Sequence, residues 1–258
     1  PQQVGLVAHY ALPMADGGQQ QVWLKKAGQR HGMGRYRLMA VIAWLARMPA
    51  LKPVPNLGGN TAIATEVQRL QTLCAAGVRV PQVLASQADG FLMSHLGAIG
   101  QHAPSLADEI ASATGAGQIE RSLALWQEGW DFLTSVHARG QCLSQAFARN
   151  IVRCADGVLG AVDFEDDPSA ALPLSLCQLR DVLAYSHSTA LYLQEVGAMA
   201  QARQVWQNWL AAAASTPTLQ ADVAHTTARM AWLRHLPADR SWGRDAQRLR
   251  AAYALLQD

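Results

Sequence analysis

The chain changes character once, near Gly100, and that change limits the folds open to it. On the amino-terminal side, "VGLVAHYAL" at 4–12 and "QQVWLKKA" at 20–27 are β-rich runs parted by the turn former "ADGGQ", a pattern that predicts a hairpin. "VRVPQVLASQADGFLMSHLG" at 78–97 again alternates like two strands, joined by "QADG". Between them Ile63, Val67, Leu70 and Leu73 recur at helical spacing, and Gly77 closes that helix as a C-cap. Beyond Gly100, "IERSLALWQEGWDFLTSVHARG" and nearly everything after Pro173 are rich in Ala, Leu and Trp with helical period. The expectation is an α+β protein of two parts. A small β-rich lobe with one helix covers 1–95, and a larger, mainly helical lobe covers 96–258, with the boundary near 94–104.

One apolar run, "LMAVIAWLA" at 38–46, sits between Arg35, Arg37 and Arg47. It is far shorter than the roughly 18–20 residues that span a bilayer. We read 34–50 as a helical insertion buried between lobes or against a neighbouring chain. The second reading for 35–48 is a peripheral membrane helix with its arginines at headgroup level.

Composition removes several function classes. Half of the 258 residues are hydrophobic, enough for one large core or two modest ones. Twenty-one Lys and Arg against nineteen Asp and Glu leave a formal charge of +2, too little for a domain that lives on nucleic-acid phosphates. Cys74, Cys142, Cys154 and Cys177 form no CxxC pair, so buried free thiols in a reducing cytoplasm are expected rather than a zinc site or disulfides. The eight histidines are spread singly, without H-E-x-x-H, and no G-x-S-x-G elbow is present. His137 is read as a capping or packing residue, and Trp126, Trp130, Trp206 and Trp209 as core.

The chemistry concentrates in two stretches, "LSQAFARNIV" at 143–152 and "GAVDFEDDP" at 160–168. Phosphoryl transfer needs a lysine on nucleotide phosphates, a carboxylate to hold it, metal ligands, and a group that orients the acceptor. "VWLK" puts Lys25 on a strand after three apolar residues, as in V-A-I-K, with Lys26 its competitor. Glu66 lies on the following helix. Asn150 stands five residues beyond Gln145, the spacing of H-R-D-x-x-x-x-N, and Asp163, Phe164 and Glu165 take the D-F-G position after the strand "GVLGAV". "QLRDVLAY" then carries Asp181 at the start of another helix.

This order of motifs resembles the protein-kinase-like superfamily. It is most similar to bacterial lipopolysaccharide core and 3-deoxy-manno-octulosonic acid kinases, and more distantly to RIO-type and related atypical kinases. The likeness covers roughly 20–190 and implies a bilobal kinase-like fold with catalytic and metal loops at 143–168, acting on ATP with Mg²⁺. By the same resemblance Lys25 and Glu66 anchor the nucleotide and Asn150 and Asp163 are the magnesium ligands. Asp181 braces the catalytic loop, and Met93 to Leu96 form the hinge that meets adenine. The chain departs from the pattern in lacking a G-x-G-x-x-G turn and in carrying Gln145, an amide that is no base, where the catalytic aspartate belongs. Glu165, Asp166 and Asp167 are then candidate stand-in bases or further metal ligands, and Arg149 a candidate for neutralising phosphate. The implied activity is a phosphotransferase acting on a lipopolysaccharide sugar or another small or glycolipid acceptor, in the cytoplasm or at the inner membrane face. The alternative is a pseudokinase that binds nucleotide, or serves as an interaction scaffold.

Overall fold

A computed structural model of the chain describes residues 6–13, 18–28, 58–212 and 216–257. The expected helical insertion at 34–50 and its membrane reading lie outside the described residues. Four antiparallel strands form the first layer: β1 (Val7–Pro13), β2 (Gln19–Lys26), β3 (Val83–Gln87) and β4 (Gly90–Ser94), in the order β1-β2-β4-β3. β2 is an inner strand, paired from Val7↔Lys25 to Pro13↔Gln19 on one side and through Lys25↔Phe91 on the other. Gly90 permits that second pairing, because a Cβ there would sit 2.8 Å from the Lys25 carbonyl oxygen.

Helix α1 (Gly59–Ala75) buries the face that carries Ile63, Glu66, Arg69, Leu70 and Leu73. It ends as the sequence predicts. Gly77 takes φ +76°, its N–H donates to the Cys74 carbonyl, and the Val78 N–H reaches back to Leu73, which is the Schellman closure. Cys74 is exposed, whereas Cys142, Cys154 and Cys177 are buried, so the expectation of four buried thiols is corrected at one position. The reason is the helical period: Cys74 follows Leu73 by one residue and is carried about 100° off the buried stripe.

The helical part follows. α2 (Leu106–Gly115) is capped by Ser105, whose Oγ accepts the Asp108 N–H at 3.1 Å and donates to its carboxylate at 2.7 Å. α3 (Ile119–Ala138) leads to the short pair β5 (Ile151–Arg153) and β6 (Leu159–Ala161). Then come α4 (Leu174–Glu195), α5 (Met199–Ala211), α6 (Pro217–Arg229) and α7 (Gly243–Leu256). α4 is the central post, and α3 and α7 pack along it. Trp130 meets Trp126 and Tyr185 edge-on, with centroids 5.9 and 5.1 Å apart, and Trp206 and Trp209 stack at 5.3 Å. Trp126, Trp130 and Trp206 are fully buried; Trp209 is half-buried and its indole N–H donates to Thr134.

Asp181 does not begin a helix, as the sequence suggested, but is the eighth residue of α4. Pro173 ends the preceding loop, and "LSLCQL" after it holds no breaker, so the helix starts directly behind the proline. One continuous hydrophobic cluster joins Leu70 of α1, Phe91 of β4, Leu143, Phe164, and Trp130, Leu179 and Val182 of the helices. The architecture is α+β. No described helix is long and apolar enough to cross a membrane.

Candidate functional site

Lys25 is where the sheet meets the helix. Strand alternation turns it inward and leaves its neighbour Lys26 exposed. Its Nζ lies 2.7 Å from Glu66 Oε2, 3.0 Å from Glu165 Oε1 and 3.5 Å from Asp163 Oδ1. Burial works against the ammonium, but Glu66 above all, followed by Asp163 and Glu165, outweighs it and holds the Lys25 pKa above the usual lysine range. Glu66 is only 2% exposed, and burial raises its pKa despite the lysine. One cation thus faces three carboxylates, an arrangement with negative charge in excess.

The loop before Asn150 is hung from α4. Asp181 is wholly buried; its Oδ2 accepts the Leu143 N–H at 2.7 Å and the His137 Nε2–H at 3.1 Å. His137 is therefore more than packing: with a carboxylate opposite it, Nε2 is the donor, and the pair ties the last turn of α3 to the loop. Gln178 adds bonds to the carbonyls of His137 and Gln141. Among the described residues two other than glycine take the left-handed conformation, Ser144 at φ +73° and Asp163 at φ +71°. Such backbone costs on the order of 1 kcal/mol or more and collects at functional loops. Both lie in the two stretches singled out from the sequence.

The structure brings Gln145, Asn150 and Asp163 into one neighbourhood. The Asn150 Nδ2 donates to the Gln145 carbonyl at 3.2 Å, and the Asn150 carbonyl accepts the N–H of Val162, the residue before Asp163. With its amide nitrogen committed, Asn150 has its oxygen to offer a cation. Arg149 is exposed, its guanidinium 4.3 Å over the Phe147 ring.

The acidic run divides its labour. Asp163 and Glu165 pair with Lys25, so Glu165 is an ion partner rather than an unengaged base. Asp166 is buried and accepts a hydrogen bond from the Gln145 side chain at 3.4 Å; burial raises its pKa against that bond and the pull of Arg180. Asp167 caps the turn Pro168–Ala170 through the N–H and Oγ of Ser169 and lies 3.8 Å from Arg69 Nη1. Asp167 is thus a capping residue, these contacts all made through Oδ1. Arg69 itself went unnoticed in the sequence, although it follows Glu66 by one turn on the same apolar face.

Beside this cluster lies a cleft of about 230 Å³, lined among others by Trp23, Met93, His95, Leu96, Val152 and Val162. Its roof is the sheet and its floor is β5 and the residue after β6. Met93 and Leu96, the residues named as a hinge, are among its lining; Trp23 and the histidines were not foreseen. The Trp23 indole N–H donates to His95 Nδ1 at 2.9 Å, so His95 Nε2 carries the hydrogen given to the Gln101 carbonyl at 2.8 Å. His9 and His102 complete the aromatic group around Trp23, and burial, then repulsion from His95 and His102, lowers the His9 pKa.

Among the described residues no three His, Cys, Asp or Glu side chains are arranged to hold a metal ion by themselves. Asp163 and Asn150 fit a narrower demand, since Mg²⁺ keeps several waters and is bound by one or two carboxylates together with substrate phosphates. Comparison with known protein families and with curated proteins finds no match for the chain.

Proposed function

We propose that the chain is an ATP- and Mg²⁺-dependent phosphotransferase of the protein-kinase-like type, working with Gln145 in the position of the usual catalytic aspartate. The observation that carries this reading is the meeting of Lys25 with Glu66, Asp163 and Glu165, three segments far apart in sequence, beside an apolar slot. In this reading the slot takes the planar adenine base under Trp23 and along Met93 and Leu96, and Lys25, oriented by Glu66, takes the phosphates. Asp163 and the Asn150 amide oxygen hold Mg²⁺, which supplies neutralisation of charge on the transferred phosphoryl group. Asp181 and His137 keep the loop in register.

The proton of the acceptor hydroxyl goes to Asp166. It is the carboxylate bonded to Gln145, so the amide orients a neighbouring base instead of acting as one. A loose transition state asks little of that base, which makes the exchange tolerable. The acceptor is proposed as a small molecule or the sugar of a glycolipid.

ADP release from MgATP tests the reading. Asp163→Asn is expected to lose several kcal/mol of transition-state stabilisation, while Gln145→Ala loses only the roughly 0.5–1.5 kcal/mol of one hydrogen bond. A second reading, a nucleotide-binding protein without turnover, is favoured by Gln145 itself and by Glu165 occupying Lys25. Gln145→Asp separates the two: it raises transfer in the enzyme and leaves ADP release at background in the pseudokinase.

A further inference from the structure

We infer that Arg69 is a positioning residue that couples the orientation of α1, and with it the Lys25–Glu66 pair, to the two loops of the site; the inference rests on the phosphotransferase reading. Arg69 is 4% exposed, although an arginine is seldom buried without a specific task for its donors. Its Nη2 donates to the Cys142 carbonyl at 2.5 Å, immediately before Leu143, whose N–H is held by Asp181. Its Nη1 lies 3.8 Å from Asp167, itself held by the N–H and Oγ of Ser169. One rigid guanidinium therefore touches the loop of Gln145 and the loop of Asp163 at points that are independently anchored.

Glu66 stands one turn earlier on the same buried face and grips Lys25 at 2.7 Å. If α1 rotates or slides, the grip on Lys25 and both guanidinium contacts are lost together, so α1 has one position that satisfies all three. A planar fork can serve two acceptors at fixed geometry where an ammonium serves one point. This sets Arg69 apart from a mere core filler, which would stabilise the fold without sensing Glu66.

The test is a double-mutant cycle on the full chain, with MgATP affinity read by calorimetry and melting temperature beside it. Arg69→Lys is expected to weaken MgATP about tenfold. In a Glu66→Gln background the same change is expected to weaken it less than about twofold further, because the coupling is already broken. Should Arg69→Lys fail to fold, Asp167→Asn decides. It keeps the cap on Ser169, loses the ionic contact, and is expected to weaken MgATP about threefold, again not additively with Glu66→Gln. Unchanged affinity, or strictly additive losses, overturns the role of Arg69 alone. A wild type that does not bind MgATP overturns the phosphotransferase reading and this inference with it.

Discussion

In the proposed phosphotransferase Gln145 and Asp166 work as a pair, and the sequence located the first by spacing but named the second only as one of three candidate bases. The spacing to Asn150 located Gln145 and the D-F-G position singled out Asp163, but "DFEDD" left Glu165, Asp166 and Asp167 of equal standing. Their separate tasks are decided by contacts no spacing reveals: Asp163 and Glu165 on Lys25, Asp166 on Gln145, Asp167 on Ser169 and Arg69. Arg69 was illegible for a related reason, since an arginine on a helix reads as surface unless the position of its acceptors is known. Asp166 allows a signed prediction. Burial raises its pKa above the unfolded value of 3.8, so folding binds more protons at this carboxyl than unfolding leaves on it, and its contribution declines as pH rises from about 3.8 through the raised value. Asp166→Asn is therefore expected to be more stable than the wild type at pH 7, with the gap closing as pH falls below about 4. Urea melts at several pH values check this, and ADP release should fall in the same variant.

At the scale of elements, periodicity carried far. The α1 stripe, its Schellman end at Gly77 and both hairpins of the sheet follow from patterns that local physics enforces. The apolar slot did not follow, because Trp23, His95 and Val162 come from three segments that only the tertiary fold brings together. α4 starts directly behind Pro173, about two turns ahead of the start expected at Asp181, because nothing in "LSLCQL" breaks a helix. Where strand, helix and acidic loop converge, Glu165 crowds Lys25 with a third carboxylate. Glu165→Gln removes one negative charge 3.0 Å from Nζ. Because that side chain is 42% exposed, screening keeps the effect small, and MgATP affinity is expected to rise about two- to fivefold. An affinity that falls instead would make Glu165 a ligand rather than a competitor.

For the whole molecule, the core that runs from α1 through Phe164 and Leu143 to α4 means that the site loops rest on the same packing that stabilises the fold. Gly129 marks a close joint between α3 and α4. A Cβ there would lie 2.0 Å from the Tyr185 hydroxyl oxygen and 2.8 Å from Leu106, and that hydroxyl donates to the Trp126 carbonyl at 2.8 Å. Gly129→Ala must displace a buried tyrosine, and is expected to cost roughly 1–3 kcal/mol in denaturant unfolding despite the better helix propensity of alanine. The central claim, that Lys25, Glu66, Asn150 and Asp163 together make a nucleotide site, is tested most directly by calorimetric titration of the intact chain with ATP, with and without Mg²⁺, beside Asp163→Asn. The account predicts saturable binding that needs both the metal and Asp163. Equal binding by wild type and variant irrespective of Mg²⁺, or no binding by either, would contradict it.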